Sequence, residues 1–125
     1  MANKWEKLNR KAIELMKSGE YAMALETARE AVSAARRQKG KPNLFVSLNN
    51  LGEICMLMGR ATEAIPVFEQ ALELSVREHG PDRIEQAELF VSLAELHVSM
   101  GQHANAEPLL ERAVFIQEKK RANDS

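Results

Sequence analysis

The sequence predicts an all-α protein of six helices, arranged as three antiparallel pairs stacked into a repeat array. Three observations carry that prediction. The segments Gly19-Glu20-Tyr21-Ala22-Met23-Ala24, Gly59-Arg60-Ala61-Thr62-Glu63-Ala64 and Gly101-Gln102-His103-Ala104-Asn105-Ala106 each place a glycine five residues ahead of an alanine that opens an alanine-and-apolar helix. The glycines recur from 19 to 59 and from 59 to 101, spacings of 40 and 42 that mark stacked supersecondary units. Apolar residues repeat with helical period throughout, and no stretch alternates as a half-buried strand does. Alanine, leucine and glutamate dominate while aromatic residues make up only 5%, which favours helix over sheet.

The elements follow in order. Leu8, Ala12, Leu15 and Met16 form the first stripe, closed by Ser18-Gly19. The second helix carries Ala24, Leu25, Ala28, Ala31, Val32 and Ala35 on its inner side, then the basic run Arg36-Arg37-Gln38-Lys39 before Gly40 and Pro42. Cations complement the dipole of a last helical turn, glycine suits the left-handed position after it, and proline cannot continue the helix. Leu48, Leu51, Cys55 and Leu57-Met58 form the third stripe, up to Gly59. Ala64, Ile65, Phe68, Ala71, Leu72 and Ser75 form the fourth, and Glu78-His79-Gly80-Pro81-Asp82 connects it onward. Asp82 and Glu85 have the spacing of a capping box for the fifth helix. Phe90, Leu93, Ala94, His97 and Met100 precede Gly101, and Ala106, Leu110, Ala113 and Val114 follow it. The single domain, 1–125, divides into repeats of about 4–39, 43–79 and 83–121, with 122–125 expected to fray.

Within each pair the short glycine-bearing turn lays the helices side by side. Alanines at 24, 64 and 106 and at 31, 71 and 113 recur because helix axes approach closely only where side chains are small. Phe68 and Leu110 are expected to fill the wider gaps between pairs. A single pair cannot cover its own apolar face, so stacking is what stabilises it.

Composition narrows the function. The chain holds 125 residues with a net charge of −1, which gives no electrostatic reason to expect nucleic acid or an anionic membrane as partner. The basic runs at 36–41 and 119–121 read as solvated helix ends. Cys55 is the sole cysteine, which excludes a disulfide framework and a thiolate metal cluster. The start, Met1-Ala2-Asn3-Lys4-Trp5-Glu6-Lys7, lacks the apolar core of a signal peptide, so a cytoplasmic location is expected, although a piece of a larger exported protein would read alike. No metal or cofactor is expected. His97 and His103 take core positions that large residues usually hold, His79 lies in a loop, and no H-E-x-x-H occurs. Cys55 takes a core position where a buried thiol is inert. No groups converge as catalysis requires. The expectation is a protein without enzymatic activity.

On these residues the chain resembles tetratricopeptide repeats. The second unit reads Leu48-x-x-Leu51-Gly52-x-x-Cys55, then Gly59, Ala64, Phe68 and Ala71. The third gives Phe90, Leu93, Ala94, His97, Gly101, Ala106, Leu110 and Ala113. The first gives Leu8, Ala12, Leu15, Gly19, Tyr21, Ala24, Ala28 and Ala31, with Lys11 where leucine is usual. Trp5-x-x-Leu8 looks like the opening string of such a repeat, but the register from Tyr21 puts Trp5 three residues too early. The usual repeat is about 34 residues. The longer period here, with Ser47-Leu48-Asn49-Asn50-Leu51, Ala106-Glu107-Pro108-Leu109 and His79-Gly80-Pro81-Asp82, is similar to the kinesin-light-chain-like type.

The resemblance implies a right-handed α-solenoid whose first helices line a concave surface that binds a peptide segment of a partner protein. The exposed face of those helices carries Asn9 and Ile13; Val46, Asn49, Asn50, Glu53 and Met56; and Glu88, Val91, Ser92 and Glu95. Asparagine offers both a donor and an acceptor and can pair with a peptide main chain whatever its side chains. In the kinesin-light-chain-like type an Asn-Asn pair does this, and Asn49 and Asn50 are the matching positions. The alternative is that one of them only bonds a neighbouring helix. A carboxylate clamp is not implied, because Asn9, Ile13, Glu88 and Ser92 stand where its other residues belong. Glu53, Glu88 and Glu95 favour a basic or neutral segment.

The last helix keeps Leu109, Leu110, Val114, Phe115 and Ile116, whereas a repeat array needs a polar cap at each end. Self-association through Leu109, Phe115 and Ile116 into a homo-oligomer is the preferred reading. A further helix in a longer parent, or an apolar ridge narrower than the sequence suggests, remains open.

Overall fold

A computed structural model describes residues 3–124. Six helices run through them: α1 (Lys4–Lys17), α2 (Tyr21–Arg37), α3 (Leu44–Leu57), α4 (Ala61–His79), α5 (Ile84–Ser99) and α6 (His103–Asp124). No strand occurs among the described residues. The sequence and the structure agree on an all-α chain of helix–turn–helix pairs.

The turn inside each pair is built the same way three times. At Gly59, φ is 72°, a left-handed conformation that costs a residue with a Cβ roughly 1–2 kcal/mol. It lets Arg60 N–H reach Cys55 O at 2.9 Å and Gly59 N–H reach Met56 O at 3.0 Å, capping carbonyls that the end of α3 leaves open. The same two bonds recur from Glu20 to Leu15 and from Gly19 to Met16, and again from Gln102 to His97 and from Gly101 to Val98. The period in the sequence is therefore a period of one helix-ending device.

The chain divides into two compact units, residues 1–67 and 68–125, with the boundary inside α4. In the first, α1 packs on α2 and α2 on α3. The inner side of α2 is buried as its spacing predicts, with Ala24, Leu25, Ala28, Ala31, Val32 and Ala35 all at 8% exposure or less. Ile54 on α3 is 1% exposed, and burying such a side chain stabilises by roughly 1.5–3 kcal/mol. Asn3 caps α1, its side chain accepting Glu6 N–H at 2.8 Å.

In the second unit α5 packs on α6, and Ala87, Ala113 and Ile116 form a buried cluster with Phe90 and Val91 against it. Ile116 is thus core and does not belong to an oligomer face; it continues the row of Ala106, Leu109 and Ala113 that faces α5. Leu110 is 44% exposed and does not fill a gap between pairs. α6 runs to Asp124, whose carboxylate pairs with Lys120 one turn back at 3.3 Å. Ser125 lies outside the described residues, as do Met1 and Ala2.

Asp82 does not cap α5. The helix starts after Arg83 with no side-chain cap. Asp82 stands at φ 67° and gives its carboxylate to Arg112 and, at 3.3 Å, to Lys119, both on α6. The connection is closed instead by Gln86, which is 1% exposed and donates to Gly80 O at 2.8 Å and Ser75 Oγ at 3.0 Å.

Candidate functional site

The first helices of the first unit, α1 and α3, present the predicted polar face. Val46 and Glu53 on α3 are exposed; Asn49, Asn50 and Met56 are half-buried, as are Asn9 and Ile13 on α1. Residues three, four and seven apart share one side of a helix, which is why Val46, Asn49, Asn50 and Glu53 keep company. Asn50 Nδ2 donates to Asn9 Oδ1 at 2.8 Å. One of the two α3 asparagines does bond a neighbouring helix, and the partner is itself a predicted site residue.

That bond orders the remaining polar atoms. Asn9 spends its carbonyl and keeps its amide N–H groups; Asn50 spends one N–H and keeps its carbonyl oxygen. A donor and an acceptor therefore stand side by side on two helices. Behind them Trp5 donates its indole N–H to Ser47 Oγ at 2.5 Å, joining α1 to α3. The repeat register sets Trp5 ahead of the opening motif, and its bond to Ser47, the second between the two helices, carries no periodic signal.

Cys55, behind the same face, is 1% exposed. Burial, and then the Glu63 carboxylate, push its thiol above the ordinary value, against a smaller pull from Arg29 and Arg60. Glu63 is held by Arg29 at 3.0 Å and Arg60 at 3.3 Å. A thiol kept neutral in this way is a packing group.

On α5, Glu88 and Glu95 are exposed and Ser92 is half-buried. Val91 is half-buried and packs on the Ala87–Ala113–Ile116 cluster, so its side chain serves the core at least as much as the surface. His103 is exposed at the start of α6 and is not core, because the first turn of the helix projects it outward. His97 is half-buried, its Nδ1 2.7 Å from Gln102 Oε1 across the turn. Phe115 is 48% exposed with the Arg112 guanidinium 4.9 Å from its ring centre, and Leu109 is half-buried. Among the described residues no group of three or more His, Cys, Asp or Glu is placed to hold a metal ion. None of the helices searched is long and apolar enough to cross a membrane.

Comparison with known proteins agrees with this construction. The family profile described as tetratricopeptide repeat matches residues 43–119. Two curated plant proteins from Arabidopsis thaliana are similar to the chain. Kinesin light chain-related 3 is 30% identical over 104 residues and kinesin light chain-related 2 is 29% identical over 104 residues, each alignment covering 82% of this chain. The chain matches 16% of the length of each relative. With its glycine turns, its buried alanine rows and a profile match over more than half its length, the chain belongs to the tetratricopeptide-repeat family, in the long-repeat kinesin-light-chain-like type.

Proposed function

We propose that the chain is a non-enzymatic interaction module that takes a peptide segment of a partner protein on the face of its first helices. Tetratricopeptide repeats generally mediate protein–protein interaction. The observation that carries the finer reading is the Asn9–Asn50 pair. Its leftover donor and acceptor match the acceptor and donor of a peptide main chain, and Asn49 lies one residue away on the same helix. Ile13 and Met56 supply apolar contact, with Met56 adaptable to different side chains. By repeat equivalence Val46, Asn49, Asn50 and Glu53 correspond to Glu88, Val91, Ser92 and Glu95, which gives α5 a matching set of positions. Exposed Glu53, Glu88 and Glu95 favour a basic or neutral segment.

A pull-down with the wild type against Asn49→Ala/Asn50→Ala tests this reading. A protein lost only by the double variant supports it, and partners retained equally by both proteins overturn it. Peptides cut from a captured partner then test charge: tighter binding of acidic than of basic segments refutes the preference.

A second reading, assembly of like chains through the last helix, is favoured by one observation. Val98 on α5 and Leu110 and Val114 on α6 are 43–50% exposed and line one open groove.

A further inference from the structure

The apolar surface of α6 is a seat whose occupied counterpart lies in the first unit. There α3 packs on α2, and Leu25, Ala28 and Val32 of α2 are 4%, 1% and 8% exposed. Counted from the turn glycines at 19 and 101, the same positions on α6 are Glu107, Leu110 and Val114. Leu110 and Val114 are 44% and 50% exposed and, with Val98, floor an open groove of about 520 Å³. A helix docked as α3 docks on α2 fits this seat. It would have to match carboxylates, because Glu107, Glu111 and Glu118 run along one edge of α6 at helical spacing and all are exposed.

The first helix of the chain departs from α3 in the complementary sense. Leu44 and Leu51 of α3 are 5% and 9% exposed, and the equivalent residues of α1 are Lys4 and Lys11. With Lys7 they make an exposed lysine edge at i, i+3 and i+7, beside half-buried Leu8 and Leu15. Both substitutions turn an apolar interface position into a charge, lysine on one helix and glutamate on the other.

Resting on the self-assembly reading above, we propose that a second copy of this chain docks its α1 on the α6 groove of the first, head to tail. Consecutive packed helices joined by a short connection run antiparallel, as α2 and α3 do across residues 38–43. The same antiparallel docking brings Lys4 of the second copy toward Glu118 and Lys11 toward Glu111. Two α6 helices face to face would bring their glutamate edges together, and two α1 helices their lysine edges; the head-to-tail pairing sets each edge against its complement. Such an interface is heterologous, so it leaves one end of each kind free and extends beyond two copies as a ring or an open chain.

Sedimentation or light scattering of the whole chain tests it. The wild type is expected to gain mass with concentration beyond the dimer and to lose that mass with added salt. Glu111→Lys/Glu118→Lys and Lys4→Glu/Lys11→Glu are each expected to weaken association about tenfold or more, since reversal replaces attraction with repulsion. An equimolar mixture of the two variants restores assembly, because the reversed tail of one fits the reversed head of the other. All four positions are exposed, and circular dichroism is the check that both variants fold. A wild-type mass independent of concentration overturns self-assembly altogether. A stable dimer indifferent to both reversals, or a mixture that stays monomeric, leaves self-association standing or falling on its own and overturns the head-to-tail interface.

Discussion

Asn50 and Asn9, 41 residues apart, form one hydrogen-bonded pair with Nδ2 to Oδ1 at 2.8 Å. Because both side chains are only half-buried, water replaces much of what a truncation removes. Asn9→Ala or Asn50→Ala is therefore expected to cost about 0.5–1.5 kcal/mol of stability in urea unfolding. A double-mutant cycle should show coupling of about 0.5 kcal/mol or more. Strict additivity would mean that the two amides do not interact in solution, and would remove the support for the peptide-binding reading.

Gln86 gives a larger effect for a reason of burial. Its amide is the donor that satisfies both Gly80 O and Ser75 Oγ, and the side chain is 1% exposed. Gln86→Leu keeps the volume but leaves two acceptors without that donor, and a loss of roughly 1–3 kcal/mol is expected. Gln86→Glu sets a buried carboxylate against Gly80 O, with only the Ser75 hydroxyl able to turn and donate to it, and should be worse still at neutral pH. A change below a few tenths of a kcal/mol in either variant would contradict this role.

Gly59 separates backbone strain from crowding. A Cβ built at Gly59 meets nothing within 4 Å, yet φ is 72°. Gly59→Ala should cost about 1–2 kcal/mol through conformation alone. Thermal unfolding of Gly59→Ala beside Gly59→Asn checks this, because asparagine tolerates the left-handed region better. Equal losses in the two would point to a packing cause instead.

Cys55 makes stability fall on the alkaline side. Its folded thiol ionises above its ordinary value because of burial first and Glu63 second. The stabilisation from keeping that thiol neutral is whole below the ordinary thiol range and is lost as pH rises through the raised folded value. Urea midpoints measured from neutral to alkaline pH should fall more steeply for the wild type than for Cys55→Ala. Parallel curves would show that the thiol does not contribute. Modification by a maleimide at neutral pH should be far slower folded than unfolded.

The sequence by itself determined the periodic part of this protein. Glycine turns and alanine rows are local or repeating constraints, and Gly59, Ala64 and Ala71 can be recognised without knowing what they touch. The positions of Asn9, Asn49 and Asn50 on the first helices of their pairs follow from the same register. Only the tertiary structure decided the pairwise matters. Nothing periodic says that Asn50 selects Asn9, that Trp5 reaches Ser47, or that Gln86, and not an Asp82 cap on α5, closes the connection into that helix; each depends on the distance between two elements. The last helix shows the limit most plainly. Its apolar residues were legible as a ridge, but a helix buries only the side its neighbour covers. Contact with α5 took Ile116 into the core and left Leu110 and Val114 outside.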